Sequence, residues 1–420
     1  MLIQAALLAL SFPQAPAAEA TPKVNAESLP EARAGFTTQL VRQDRQESSL
    51  EAPPDGLFSL IHYDAPLGPT QAYVSKVAGP APRPAIVWLT GGFPVARGGS
   101  VVWEPRGPGN EQSASAYRRA GIVMMFPTVR GTAMNPGNQE FMMGEVDDVI
   151  AAARHLATYE CVDPGRIYLG GHSTGGTLAL LVAESTDIFK AAFCFGPSDE
   201  FAGYGIEDPW PFDTGNPEEW RLRSPVHFLD GIKTPTFVIE GQYGSSYALR
   251  AFDAASDNPM VTNVIVPHAD HFRPLDAINR LLSERIVDCG QKPFRVTGEE
   301  IVDAHRSFWS QRRRENDRRS ISRAIDNGLE LGALCRVSFK MGSHKRERLE
   351  RGTAPLRGER FSLGPLTELI DEDGDPYFEI EASQVIHLTL ENVDRLSSAA
   401  ADCAGDHRLD SKRWSALAIF

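Results

Sequence analysis

The chain has 420 residues, of which 42% are hydrophobic and 23% charged, and this balance is typical of a globular protein with a sizeable core. The length predicts one large or two moderate domains. The formal net charge of -13 disfavours nucleic acid as a main partner, and the lack of an interior run of about eighteen apolar residues predicts no membrane span.

An apolar run at residues 2–10 is followed by small-x-small triplets at 15–17 and 18–20, and this pattern resembles a secretory signal peptide over residues 1–20. No Lys or Arg precedes the apolar run, so the apolar, disordered start of a cytoplasmic protein is the alternative. We expect export to the periplasm or the medium. Residues 21–34, rich in Pro, Ala and Glu, are then expected to form a linker.

Alternation and apolar runs predict the elements of residues 35–290. Strands are expected at 36–41, 57–63, 71–77, 85–90, 122–127, 167–169, 191–195, 236–239 and 261–266. Helices are expected at 113–119, 144–158, 177–183, 246–255 and 275–287. The second and third strands suit an antiparallel edge, and the later strands alternate with helices. This order predicts an α/β fold with a mostly parallel sheet flanked by helices, complete by residue 290.

The strand at 167–169 leads into Gly171-His172-Ser173-Thr174-Gly175, and a helical run follows at once. This is the G-x-S-x-G pattern of a nucleophile elbow. Small residues on either side of the serine let the strand and the helix pass closely, while the strained turn exposes the hydroxyl at the positive end of the helix. Because a strand enters and a helix leaves, we interpret Ser173 as a nucleophile rather than as part of a Gly/Ser loop.

A serine nucleophile needs a general base, and His271 lies in the loop after the last predicted strand. The ends of parallel strands meet at the carboxyl edge of the sheet, where Ser173 is also expected. His268 is the nearby alternative, but the sequence Asp270-His271-Phe272 at the head of a helix favours His271. His172, next to the nucleophile, is expected to be a packed, hydrogen-bonded residue.

Further motifs surround the elbow in a fixed order. They are Thr90-Gly91-Gly92-Phe93, Val129-Arg130-Gly131 with Asn135-Pro136-Gly137, Gly144-Glu145-Val146-Asp147-Asp148, Asp163-Pro164-Gly165-Arg166-Ile167, Arg223-Ser224-Pro225 and Asp270-His271-Phe272. With the elbow, this set resembles the prolyl oligopeptidase-like (S9-type) serine hydrolases of the α/β-hydrolase superfamily, over residues 57–287. The resemblance implies the α/β-hydrolase fold and a serine nucleophile, and it does not specify a substrate.

The resemblance also implies an oxyanion hole, with the backbone N–H of Thr174 as one donor and the Gly92 or Phe93 region as the other. The implied chemistry is acyl transfer through an acyl-enzyme on Ser173, acting on a small-molecule ester or a short peptide. No metal or organic cofactor is expected. The five cysteines are too dispersed for a disulfide framework or a zinc site, although one bridge is compatible with export.

The acid of the triad departs from the family pattern. Such enzymes usually carry an Asp three residues after the Gly that ends the penultimate strand, and here Gly241 is followed by Gly244. A glycine has no side chain that could orient an imidazole. Glu240, at the tip of the same strand, is our preferred substitute, and Asp199, in the loop after the preceding strand, is the alternative.

The remaining sequence divides into an aromatic loop and a C-terminal region. Residues 199–225 are expected to form a lid and substrate wall, or else to pack as core beneath a long loop. Residues 291–420 are expected to form a small α+β accessory domain, entered through an arginine-dense helix at 311–323 that we interpret as a solvated connector, with a patch for nucleic acid or an acidic partner as the alternative. Strands at 335–339 and 385–390, a turn at 371–375 and a helix at 391–401 are expected within it.

The sequence therefore predicts a serine hydrolase, an esterase or a peptidase, with Ser173, His271 and Glu240 as its triad. A non-catalytic binding protein that keeps the hydrolase shell is the alternative, and the glycine at position 244 is the feature that favours it.

Overall fold

The computed structural model describes residues 27–76, 82–93, 98–205, 210–370, 376–407, 410–411 and 415–418. The predicted signal peptide and the turn expected at 371–375 lie outside the described residues.

The larger of two sheets has eight strands among the described residues, in the spatial order β1-β2-β4-β3-β5-β6-β7-β8. Its strands are β1 (Phe58–Ala65), β2 (Gly68–Ser75), β3 (Arg83–Leu89), β4 (Val123–Pro127), β5 (Val162–His172), β6 (Ala192–Phe195), β7 (Thr236–Gly241) and β8 (Val261–Val266). β1 and β2 form the antiparallel edge, and β3 to β8 are parallel, so the predicted α/β-hydrolase fold is confirmed.

Helices cover both faces of this sheet. They are α1 (Leu29–Arg33), α2 (Ser115–Arg119), α3 (Glu145–Leu156), α4 (Thr174–Ser185), α5 (Pro217–Arg221), α6 (Ser246–Ala255) and α7 (Pro274–Cys289). On β3, Val87 and Leu89 pack into the core of one face, while Ile86 and Trp88 pack into the core of the other. This two-sided burial explains why the parallel strands appear in the sequence as continuous apolar runs.

The segment before β1 differs from the prediction. The strand expected at 36–41 is wrong: the described structure gives Leu40 an isolated bridge to Phe212. The cause lies in the backbone, because the Gln39 N–H donates to the Glu219 carboxylate at 2.7 Å instead of to a neighbouring strand. The end of the expected linker also folds, as α1, whose Arg33 donates to the Leu222 carbonyl at 2.8 Å.

The connection to the C-terminal region is one 29-residue helix, α8 (Gly298–Asp326), which contains the predicted arginine-dense stretch. A capping box starts the helix, since Thr297 and Glu300 exchange backbone and side-chain hydrogen bonds. Ile301 in its first turns is buried in the core of the hydrolase unit, and Ile321 near its end is buried in the C-terminal core. The helix therefore packs against both parts of the chain.

The C-terminal region is a small α+β unit. Its described elements are β9 (Leu334–Ser343), α9 (Arg346–Thr353), β10 (Ser362–Leu363), β11 (Thr367–Ile370), β12 (Pro376–His387), α10 (Leu390–His407), β13 (Asp410–Ser411) and β14 (Ser415–Ala418). All of its strands pair antiparallel around β9 and β12. The predicted strands at 335–339 and 385–390 are parts of β9 and β12, except that the second ends before Leu388.

None of the described helices is long and apolar enough to cross a membrane. All five cysteines lie among the described residues and none of them is bonded to another, so the disulfide considered from the sequence does not form in this structure. The described residues contain no group of three His, Cys, Asp or Glu side chains arranged to hold a metal ion.

Candidate active site

Ser173 occupies the turn between β5, which ends at His172, and α4, which begins at Thr174. Its backbone lies at φ 58° and ψ -122°, a conformation that residues other than glycine rarely adopt. A Cβ on Gly171 would overlap the carbonyl of Gly175, and one on Gly175 would overlap the carbonyl of Leu89. The two glycines are thus required for the close approach of strand and helix that holds Ser173 in its strained turn.

His271 and Glu240 form a hydrogen-bonded pair at the same edge of the sheet. His271 Nδ1 lies 2.7 Å from Glu240 Oε2. The histidine side chain is 24% exposed, whereas the glutamate side chain is 1% exposed. Glu240 also accepts hydrogen bonds from the N–H groups of Gly241 at 2.5 Å and Ser245 at 3.1 Å. These bonds fix the buried carboxylate, and the carboxylate in turn can fix the orientation of the imidazole.

Gly244 explains how Glu240 reaches this position. A Cβ at residue 244 would lie 2.5 Å from Glu240 Oε1 and 2.6 Å from its carboxyl carbon. The Glu240 carboxylate therefore fills the space into which the family's usual Asp at position 244 would extend. The position of the Glu240 carboxylate therefore requires a glycine at residue 244.

We expect the substitution Gly244→Ala to lower kcat/KM at least about 100-fold, because its methyl group must displace the Glu240 carboxylate from His271. The matched control is Gly107→Ala, where a Cβ meets nothing within 4 Å and the φ is not positive. Steady-state kinetics of both variants check this. Full activity in Gly244→Ala would contradict the arrangement described here.

The strand β6 joins the elbow to the His271–Glu240 pair. The Ser173 N–H donates to the Phe195 carbonyl at 2.8 Å. The next residue, Gly196, has φ +58°, and a Cβ there would lie 2.7 Å from His271 Nδ1 and 3.0 Å from Glu240 Oε2. Gly196 was not singled out from the sequence. A glycine directly after a buried strand beside the elbow strand is the signal that could have found it.

The two other histidines near the elbow have different surroundings. His172 is buried, its Nε2 lies 3.2 Å from the His271 carbonyl oxygen, and the two imidazole rings are 4.6 Å apart. Burial, and secondarily the nearby His271, lower the pKa of His172 to about 3, so it is neutral at pH 7. His268 is exposed and its backbone N–H donates to Gln242 Oε1 at 3.0 Å. The Glu240 carboxylate pairs with His271.

The turn after β3 lies directly against the elbow. Thr174 Oγ1 donates to the Gly92 carbonyl at 2.8 Å, and a Cβ on Gly91 would lie 3.0 Å from Ser173 Cβ. Thr174 is the first residue of α4, so its backbone N–H has no acceptor within the helix. The structure thus brings together the two segments, Thr174 and residues 91–93, from which oxyanion donors are expected.

Asp199, the alternative acid, lies in the loop after β6, where its backbone carbonyl accepts a hydrogen bond from the Val226 N–H at 3.3 Å.

The aromatic loop that follows Asp199 is mostly core: Phe201 and Phe212 are fully buried, and Trp210 is 9% exposed. Phe93, beside the oxyanion segment, packs against Tyr204 with ring centroids 5.2 Å apart, and both are half-buried. Core packing therefore describes most of these aromatic residues, while Phe93 and Tyr204 provide an apolar surface near the site.

Other motif residues are structural. The Arg130 guanidinium bonds Asp148 through Nη2 at 2.8 Å and Glu140 through Nη1 at 2.7 Å. A Cβ on Gly144 would overlap that guanidinium. Arg223 is fully buried, and its Nη2 donates to the Glu140 carbonyl at 2.9 Å. This network holds the loop between β4 and α3 against the sheet, which accounts for the Arg-Gly, Gly-Glu and Arg-Ser-Pro motifs without a catalytic role.

The chain is similar to solved structures of a peptidase and an esterase. Among solved structures, the chain is similar to a puromycin-hydrolyzing peptidase of Mycobacterium tuberculosis, at 21% identity over 58% of this chain and 41% of that one, with a TM-score of 0.45. It is also similar to an esterase of Pyrococcus furiosus, at 14% identity over 61% of this chain and 99% of that one, with a TM-score of 0.45.

The sequence comparisons cover the catalytic segment. The chain is 26% identical over 145 residues to the uncharacterized peptidase YtmA of Bacillus subtilis, a match of 32% of this chain and 56% of that protein. It thus spans little more than half the length of this curated relative. Residues 110–272 match the model of the prolyl oligopeptidase family. The resemblance predicted from the sequence is confirmed: the segment that carries Ser173, Glu240 and His271 matches the prolyl oligopeptidase family of serine hydrolases.

Proposed function

We propose that the protein hydrolyses esters or short peptides through an acyl-enzyme on Ser173, with His271 as general base and Glu240 as the triad acid. The observation that carries this proposal is the contact of His271 Nδ1 with the buried Glu240 carboxylate, beside a serine held in a strained turn. A peptide substrate is supported by the family match and by the name of the Bacillus subtilis relative.

In this mechanism, Glu240 keeps the proton of His271 on Nδ1, so that Nε2 is free to accept the proton of the Ser173 hydroxyl. The serine oxygen attacks the acyl carbon, and His271 then gives its proton to the leaving alcohol or amine. Water repeats the sequence on the acyl-enzyme and releases the acid. In each half of the reaction His271 takes one proton, first from Ser173 and then from water, and passes it to the group that leaves.

The charge on the carbonyl oxygen is stabilised by backbone N–H groups of Thr174 and the Gly92 segment. The Thr174 Oγ1 bond to the Gly92 carbonyl ties these two segments together. Fixed donors are effective because they need no reorientation when the charge develops. Phe93 and Tyr204 are placed to contact an apolar acyl or leaving group.

The non-catalytic alternative was favoured by the glycine at position 244. A glycine at 244 weakens the case for an enzyme only if His271 lacks a carboxylate partner. The Glu240 carboxylate contacts His271 and lies where a side chain at residue 244 would begin.

A fluorophosphonate probe tests the proposal, since it reacts with activated serines. We expect one covalent label per chain, and mass spectrometry should place it on the peptide that contains Ser173. A panel of p-nitrophenyl esters and aminoacyl-p-nitroanilides then separates esterase from peptidase activity. An unlabelled native protein, or a label on another residue, would refute the proposed nucleophile.

A further inference from the structure

A second pocket lies between the hydrolase unit and the C-terminal unit, and it is distinct from the elbow. The segment after β8 forms one wall, α8 forms another and α10 closes it, with a cavity volume of about 170 Å³. Residues that line it include Arg273, His305, Arg306, Trp309, Arg313 and Asp402. We refer to it as the α8 pocket.

Three nitrogen-bearing side chains follow one face of α8 at intervals of four residues: His305, Trp309 and Arg313. His305 is 6% exposed. His305 Nε2, Trp309 Nε1 and Arg313 Nε are all buried without a hydrogen-bond partner among the described residues. A buried polar atom without a partner is costly, and three along one pocket wall are unusual. They indicate a ligand that accepts hydrogen bonds.

The neighbouring charges point to an anion. The pocket lining carries three guanidinium groups and one carboxylate, that of Asp402, although the whole chain has a net charge of -13. Arg313 Nε lies 3.9 Å from Asp394 Oδ1, an ion pair beyond hydrogen-bond distance, so its N–H still lacks an acceptor. Arg306 already pairs with Asp303 at 2.6 Å on the exposed side of the helix.

The donors are also pre-positioned. The Arg273 guanidinium lies 4.4 Å from the centroid of the Trp309 ring, a cation–π contact that holds it at the pocket. Trp and Arg side chains donate hydrogen bonds and cannot accept them. Burial and then the nearby Arg273 lower the pKa of His305 to about 4, so its ring is neutral at pH 7 and can donate through Nε2.

We propose that the α8 pocket binds a small oxyanion that carries a phosphate or carboxylate group. The cavity volume of about 170 Å³ is several times that of one water molecule, which suits inorganic phosphate or a short polycarboxylate. The wall that supplies Arg273 belongs to the segment 267–273, which also carries His271.

Isothermal titration calorimetry of the full chain with sodium phosphate and with sodium citrate, at constant ionic strength set by chloride, tests the proposal. Saturable binding of one anion per chain is expected for at least one of them, and the tighter of the two identifies the phosphate or the carboxylate class. Binding needs no catalysis, so it is measured equally well on a catalytically inactive protein. No saturable heat with either anion would overturn the proposal.

Two variants and a control locate the site. Trp309→Phe keeps the ring beneath Arg273 but removes Nε1–H, and it should weaken the anion about tenfold. Arg313→Gln, which removes a guanidinium from the pocket wall, should weaken it more. Arg318→Gln, an exposed arginine on the same helix, makes the same change of charge and should leave Kd within about twofold. Equal weakening by Arg318→Gln, or unaltered binding in Trp309→Phe, would show that the anion is held by general charge and not by this pocket.

Discussion

Replacing Ser173 by Ala is expected to lower kcat by about 10⁶ and to abolish labelling by a fluorophosphonate. The reason is that the bond to the acyl carbon forms at the serine oxygen, and no other hydroxyl occupies the tip of the elbow. The alanine side chain faces the same backbone strain as serine, so the free energy of unfolding should change by less than about 1 kcal/mol. Steady-state kinetics and chemical denaturation of the same preparation check both parts.

Two comparison variants separate the roles of hydroxyl and backbone at Ser173. Ser173→Gly should be equally inactive but more stable than Ser173→Ala by about 1 kcal/mol, because glycine adopts the φ of 58° without strain. Ser185→Ala removes a hydroxyl from the last residue of the same helix, where it donates to the Leu181 carbonyl, and should keep full activity. Turnover by Ser173→Ala above about 1% of the native rate would mean that another residue is the nucleophile.

The sequence predicts the hydrolase unit well because its strands are buried on two faces. Continuous apolar runs as short as residues 85–90 and 122–127 favour strands buried on both faces, and β3 and β4 form there. The elbow is equally predictable, since its pattern occupies five consecutive residues, although the carbonyl that excludes a Cβ on Gly175 belongs to Leu89 on β3. Residues 36–41 show the limit: their alternation suits a strand, yet the Glu219 carboxylate captures the Gln39 N–H, a contact that only the folded chain supplies.

The C-terminal unit is less predictable because most of its strands are partly exposed. β11 is exposed at all four positions, and the first half of β12 mixes exposed and buried residues without a clear period. The α8 pocket is also difficult to predict from the sequence. His305, Trp309 and Arg313 share a helical spacing that the sequence contains, but Arg273 comes from another part of the chain. Their meeting depends on how α8 packs against α7 and β8.

The choice of Glu240 as the proposed triad acid also depends on contacts that form only in the folded chain. The sequence leaves Glu240 and Asp199 as alternatives, since both follow strands at the same edge of the sheet. What distinguishes them is the reach of the Glu240 side chain into the space above Gly244, together with the backbone donors Gly241 and Ser245 that receive its carboxylate. In the proposed triad, a longer side chain one residue before Gly241 takes the place of a shorter one three residues after it.

Glu240→Gln should accordingly lower kcat/KM by about 10⁴, because a neutral amide neither stabilises the imidazolium nor secures the tautomer with the proton on Nδ1. Asp199→Asn is the matched control and should remain within about threefold of the native value, since Asp199 is not the residue that contacts His271. Kinetics of both variants at pH 7 decide between them, and a large loss in Asp199→Asn with little in Glu240→Gln would reverse the assignment.

A double substitution distinguishes loss of the acid from loss of the fold. Glu240→Ala alone should be as inactive as Glu240→Gln, but Glu240→Ala with Gly244→Asp empties the space at residue 244 and returns a carboxylate there. We expect this pair to recover at least about tenfold in kcat/KM over Glu240→Ala, since the imidazole would regain a carboxylate partner. The single variant Gly244→Asp should be inactive, because two carboxylates would then compete for one site. Failure of the pair to recover, in a protein that is folded by circular dichroism, would show that position 240 acts through something other than its contact with His271.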